Sequence, residues 1–178
     1  TEFRTSAFPS STPTSGVFVA VGQYGSHFRS IDDGTSWDNE TCSFLDNDFH
    51  GVTYANNTFI AAGENGRLVK STNNASSWQV SNPFSSVQIN GIAFGGSTLN
   101  VVGANGSSGY TYISSNNGSS WSPGQLPSTS LQTLSPNGRA YYYNKSLYGV
   151  AFGNSTFVAV GDVGKILRST DNGANWSH

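Results

Sequence analysis

One eight-residue frame occurs four times in this chain of 178 residues: "SIDDGTSW" (30–37), "STNNASSW" (71–78), "SSNNGSSW" (114–121) and "STDNGANW" (169–176). Serine opens each copy, Asp or Asn stands third, Gly or Ala fifth, and Trp eighth. A repeat of this kind limits the fold more than any propensity does, because each copy is one unit that must bury itself against the next. Aligned on the tryptophan, the upstream residues also fall into register. Residues 51–78 and 149–176 match without a gap, and 91–121 adds three residues at its second turn. The first copy is looser: 5–8, a Pro/Ser/Thr insertion, then 17–37. The tryptophans are spaced by 41, 43 and 55 residues, the last interval stretched by an insertion between Trp121 and Leu147.

Within each unit the pattern is that of strands. Segments such as "TFVAVG" (156–161) and "KILRS" (165–169) are rich in β-branched and aromatic residues and too short for helices. Turns such as "ENG" (64–66) and "DVG" (162–164) bound them. Three short strands, and a fourth begun at the tryptophan, make a four-stranded antiparallel meander of about 40 residues, the size of a propeller blade. The chain is therefore expected to be all-β, a β-propeller-like array of four such blades. An N-terminal strand and Ser/Thr/Pro linker occupy 1–16, and the four-repeat domain occupies 17–178.

The frame S-x-D-x-G-x-x-W resembles the Asp-box, or BNR repeat, of sialidases, photosystem II assembly factors and assorted secreted β-propellers. The resemblance covers nearly the whole chain. It implies a turn between the third and fourth strands of each blade, in which the acidic residue ties down backbone N–H groups. Asp32 and Asp171 match that position, while Asn73 and Asn116 keep an acceptor and lose the charge. Gly34, Gly118 and Gly173 match the glycine that takes a positive φ; Ala75 departs from it, so the second turn is expected to be strained. Trp37, Trp78, Trp121 and Trp176 match fully and are expected to pack inward as anchors. The resemblance speaks to fold and carries no activity of its own.

Catalytic chemistry finds little support. A glycosidase needs two facing carboxylates. Of ten acidic residues, Asp32 and Asp171 belong to frames, Glu64 and Asp162 occupy equivalent turns, and Asp33, Asp38, Glu40, Asp46 and Asp48 cluster near the first unit. Arg29, Arg67 and Arg168 recur at or next to one third-strand position, as structural residues of a repeat do, and "RAYYYN" (139–144) reads as the aromatic edge of a loop. His27, His50 and His178 lie far apart without ligand spacing, so no metal and no cofactor is expected, and no enzyme. Cys42 has no partner cysteine in the chain and reads as a small buried hydrophobe. Lysine and arginine total eight and are scattered, which gives no nucleic-acid footprint, and no apolar run approaches a membrane span.

Charged residues make up only 10% of the chain, against about 25% in ordinary soluble domains. Eight N-x-S/T sequons stand instead, at Asn39, Asn56, Asn74, Asn105, Asn117, Asn144, Asn154 and Asn175, all in expected turns or loops. Glycans there would supply the missing hydration and imply a secretory route. The chain opens without Met, as a processed protein or an excerpt of a longer one does. The final unit has hardly begun its outer strand, and such an edge calls for a partner strand. Residues 1–8 are expected to supply it, to the chain's own last blade or to another copy, giving a ring or a fibre. The expectation is a non-catalytic, N-glycosylated extracellular module that self-assembles into a coat or fibre. The alternatives are a glycan-binding lectin and a fragment of a larger glycosidase or photosystem-assembly-factor-like propeller.

Overall fold

The computed structural model describes residues 16–38, 47–106, 108–127 and 146–178 in full and residues 3–7 by their backbone. Asn39, Cys42, Asn144, the "RAYYYN" stretch and most of the Ser/Thr/Pro linker lie outside the described residues.

Four antiparallel sheets follow one another along the chain, in the order the repeat dictates. Strands β1 (Phe3–Ala7), β2 (Phe18–Gly22) and β3 (His27–Ser30) form the first blade. Strands β4 (Phe49–Ala55), β5 (Thr58–Gly63), β6 (Leu68–Ser71) and β7 (Gln79–Ser81) form the second. The third holds β8 (Gln88–Gly95), β9 (Thr98–Asn105), β10 (Ser108–Ser114) and β11 (Ser122–Pro123). The fourth holds β12 (Leu147–Gly153), β13 (Thr156–Gly161) and β14 (Ile166–Ser169). In the first and fourth blades the described residues show a single bridge at the fourth-strand position, Arg29 with Asp38 and Arg168 with Ser177.

Turn chemistry explains the meander. The first two strands of blades two and four are joined by two-residue turns with both central φ angles positive: Asn56–Asn57 at 45° and 58°, Asn154–Ser155 at 48° and 56°. Asparagine tolerates that conformation, and the resulting hairpin matches strand twist. Between the second and third strands a short 3-10 turn recurs at Gln23–Gly25, Glu64–Gly66 and Asp162–Gly164, each with its middle residue left-handed.

Strand β1 pairs antiparallel with β2, from Phe3 opposite Gly22 to Ala7 opposite Val19. This corrects the expectation that the N-terminal segment crosses to the last blade or to another copy. It is the inner strand of its own first blade, because β2 offers it an adjacent hydrogen-bonding edge.

The blades stack face to face, β1 against β4, β4 against β8 and β8 against β12, and among the described residues no comparable stack joins β12 back to β1. Three apolar layers fill the three junctions. Val19 and Val21 of the first blade meet Phe59, Ala61, Val69 and Trp78 of the second. Ile60, Ala62 and Leu68 of the second meet Leu99, Val101 and Trp121 of the third. Val102 of the third meets Phe157, Ala159, Leu167 and Trp176 of the fourth. Alternation along each strand thus gives every blade a rear face toward its predecessor and a forward face toward its successor.

Candidate functional site: the frame turns and the blade junctions

Each frame is built by the same local hydrogen bonds. In the first, Ser30 Oγ donates to Asp32 Oδ1 at 2.8 Å and accepts the Gly34 N–H at 2.8 Å. Asp32 also accepts the Ser36 N–H at 2.9 Å and the Ser36 hydroxyl at 2.7 Å. The fourth repeats this with Ser169, Asp171 and Gly173, and Asn175 replaces the second serine, donating its N–H at 2.9 Å and its amide at 2.7 Å. Asn73 and Asn116 hold the second and third turns through Oδ1, which accepts from Ser77 and Ser120, while Nδ2 donates to those hydroxyls. A neutral amide therefore does the work of the carboxylate, trading an acceptor oxygen for a donor.

These donors have an electrostatic consequence. The Ser36 N–H and hydroxyl hold the Asp32 carboxyl down at about 2, and the Asn175 N–H and amide do the same for Asp171. Both acids are committed to turns and stay ionised.

The fifth frame residue has φ of 84° at Gly34, 71° at Gly118 and 90° at Gly173, and Ala75 is forced to 60°. The indole N–H of Trp37, Trp121 and Trp176 donates to the glycine carbonyl three residues earlier. That of buried Trp78 has no acceptor, in the one frame where alanine replaces glycine.

The expectation of four inward anchors needs correction. Trp78 and Trp176 are buried, Trp121 is half-buried, and Trp37 is 41% exposed. Trp78, Trp121 and Trp176 each pack backward onto the preceding blade, whereas Trp37 joins none of the three apolar layers among the described residues. A lectin would present rings at equivalent positions of several blades. The exposed aromatics among the described residues are Tyr24, Trp37 and Tyr148, and no two are equivalent in the repeat.

Two polar devices recur at the junctions, and neither was read from the sequence. The inner strands of blades two, three and four each carry a register shift one residue before a glycine, at His50, Asn90 and Tyr148. A bulge re-aims the side chain it carries. His50 Nδ1 lies 3.0 Å from the Ile89 carbonyl of the next blade, and Asn90 Nδ2 donates to the Leu147 carbonyl at 2.7 Å. A carbonyl only accepts, so Nδ1 of His50 carries the proton. The second device is the glycine N–H of the 3-10 turn, which reaches forward to the next blade: Gly25 to the Asn47 carbonyl at 2.9 Å, Gly66 to that of Val87 at 2.6 Å.

Folding also gathers Asp48, His50 and Glu64, with potential ligand atoms within 4.8 Å of one another. Asp48 accepts the Tyr24 N–H at 3.1 Å, and Glu64 accepts the Asp48 N–H at 3.3 Å. Asp48 thus ties the first blade's turn to the start of the second blade, Glu64 holds the Asp48 backbone, and His50 faces the third blade. The only sequence signal was the D-x-H at 48–50 opposite an acidic turn residue. An open crevice of about 440 Å³ lies beside Glu64 and Asn65 at the second junction.

Of the sequons, Asn56, Asn74, Asn105, Asn154 and Asn175 are exposed. Asn117 is half-buried and accepts from the Asn56 amide at 2.8 Å.

No family model and no curated protein matches the chain. Solved structures do. YCF48 from Cyanidioschyzon merolae aligns with 98% of this chain at a TM-score of 0.68 and 18% identity, and Sqt1 of Saccharomyces cerevisiae with 99% at 0.68 and 11%. The GH74 enzyme of Niastella koreensis aligns with 97% at 0.57 and 14%. The chain is a partial β-propeller. Its four blades span 55% of the YCF48 chain, 48% of Sqt1 and 23% of the GH74 enzyme. Identities this low establish the propeller fold and nothing of the activity.

Proposed function

We propose that this propeller segment belongs to the Asp-box type and serves as a non-catalytic, self-assembling structural module, N-glycosylated and extracellular. The observation that carries the reading is the use of its acids. Asp32 and Asp171 are each locked by three donor groups. Glu64 holds a backbone N–H, and Asp162 accepts the Tyr148 hydroxyl at 2.6 Å. Carboxylates spent on turns suit a scaffold better than general acid–base work, which needs a carboxyl poised near neutral pH. Five exposed sequons on the described turns and strand ends support a glycosylated surface on a chain otherwise poor in charge. Glycopeptide mapping of protein from its natural source tests this, with occupancy expected at Asn56, Asn74, Asn105, Asn154 and Asn175. Unmodified asparagine at all five would overturn the extracellular reading.

A second reading draws support from the similarity to YCF48, a relative also solved "bound to D1 peptide". On that reading the module is a peptide-binding assembly factor. Titration with the D1 peptide separates the two: saturable binding at micromolar concentration favours the assembly factor, and none favours the scaffold.

A further inference from the structure

We propose that the dipeptide Asn105–Gly106, at the end of β9, is a self-modification site. Its asparagine cyclises onto the glycine backbone nitrogen and is converted in water to aspartate and isoaspartate. The inference goes beyond the scaffold reading and does not depend on it.

The chemistry needs only the chain and water. The Gly106 amide nitrogen gives its proton to solvent, and its electron pair forms a bond to Asn105 Cγ. The Cγ–Nδ2 bond breaks, and Nδ2 takes a proton back and departs as ammonia. Water then opens the cyclic imide. Cleavage of the new N–Cγ bond gives aspartate, and cleavage of the original peptide bond leaves the chain running through the side-chain carbonyl, as isoaspartate. Three conditions govern the first step: a glycine N–H that nothing holds, an asparagine amide that nothing holds, and no side chain crowding the attacking nitrogen. Any Asn–Gly pair meets the third by composition. The fold decides the other two.

Six Asn–Gly pairs occur, with asparagine at 65, 90, 105, 117, 137 and 172, and all but that at 137 lie among the described residues. Four of the five are tied down. Asn65 donates its amide to Asn47 at 2.6 Å, and the Gly66 N–H donates to the Val87 carbonyl at 2.6 Å. Asn90 donates to the Leu147 carbonyl, and Gly91 lies within β8, where a Cβ would come 3.2 Å from the Gly149 backbone. In the third frame the Gly118 N–H donates to Ser114 Oγ at 2.8 Å, and Asn117 accepts from Asn56. In the fourth the Gly173 N–H donates to Ser169 Oγ at 2.9 Å, and the Asn172 carbonyl accepts from Thr98 and Asn100. The serine that builds each of these frames thus also withholds the nucleophile.

Asn105–Gly106 stands apart. Both residues are exposed. Among the described residues no hydrogen bond reaches the Asn105 side chain or leaves the Gly106 N–H. Gly106 has a φ of 60°, and a Cβ there would meet nothing within 4 Å. Asn105 is the last residue of β9, paired with Ser108 at the end of the ladder, where local opening is cheapest. Conversion adds one negative charge to a formal net charge of -2 and, in the isoaspartyl product, one methylene to the backbone. Asn105 is also a sequon, and an N-linked sugar is carried by the same Nδ2 that must leave. Glycan and deamidation therefore compete for one atom.

The test uses the whole chain made in a host that adds no glycans, incubated at mildly alkaline pH and followed by peptide mapping. Mass spectrometry reads a gain of one water less one ammonia, and chromatography separates the aspartyl from the isoaspartyl peptide. In the folded chain Asn105 should convert at least about tenfold faster than Asn65, Asn90, Asn117 and Asn172, whose hydrogen bonds must open first. In guanidinium chloride the five should converge, because the fold no longer separates them. An acidic species should grow on ion exchange, and Asn105→Gln should remove it, since glutamine would have to close a larger and slower ring. Conversion at Asn105 no faster than at the other four overturns the proposal. So does a preference for Asn105 that persists undiminished in denaturant, which would make it a property of local sequence. An acidic species that survives Asn105→Gln overturns it as well. Because no glycan is present, these outcomes stand apart from success or failure of the extracellular reading.

Discussion

Asp32 and Asp171 are where single side chains set a measurable property. An unfolded Asp titrates near 3.8, and the folded turns hold both near 2, so the folded form is favoured once the carboxyls are ionised. That contribution is present above pH 3.8 and is lost as pH falls toward 2. Thermal unfolding followed by circular dichroism should show a melting temperature that drops through this window. The double variant Asp32→Asn/Asp171→Asn should flatten the drop and keep the fold, because Asn73 and Asn116 already make the same bonds. An unchanged slope would mean that other carboxylates govern acid unfolding. Glycines of the frames differ in a related way. Gly34→Ala places a Cβ 3.9 Å from the Trp37 ring, so it should cost only the left-handed penalty of about 1–2 kcal/mol. Gly173→Ala drives its Cβ into the Asn100 side chain of the third blade, adding roughly 1–3 kcal/mol of overpacking. Urea midpoints that rank the two equally would count against the junction geometry.

At the scale of the blade, residues with identical local roles separate according to what lies behind them. Trp78 and Trp37 stand eighth in the same frame, yet one is enclosed by the first blade and the other faces solvent. Trp78→Ala should cost about 3–5 kcal/mol in chemical denaturation, the range of a buried aromatic. Trp37→Ala should cost less than half as much in the single chain, since less area leaves water there on folding. Equal losses would show that the exposed indole is held by something other than a preceding blade. The strand pattern itself was legible, because alternation and turn residues act over a few positions. The bulge residues were not: histidine, asparagine and tyrosine share a position defined by pairing register, and no common side-chain chemistry marks it.

For the four blades together, the described residues form a stack more fully covered in its middle than on the fourth blade's outer face, and stability should vary along it. Amide hydrogen exchange should be slowest in β5, β6 and β9, which are covered on both faces, and faster in β13 and β14 of the fourth blade. Should two copies associate, only the folded state binds, so the melting temperature must rise with protein concentration. Uniform protection across the four blades in a demonstrated monomer would contradict that stack.

The amino-acid sequence by itself determined the number of units, their strand content and the hydrogen bonding of each frame, because those bonds join residues no more than four apart. It also determined that asparagine could stand in for aspartate, since the turn asks for an acceptor before it asks for a charge. Only the tertiary structure decided which tryptophans are buried, which valines face water and where residues 3–7 pair. Burial belongs to a residue and its neighbouring blade together, and equivalent residues ninety-eight positions apart meet different neighbours. Whether an apolar face is core or surface is therefore settled by what the chain sets against it, and the same letters read both ways.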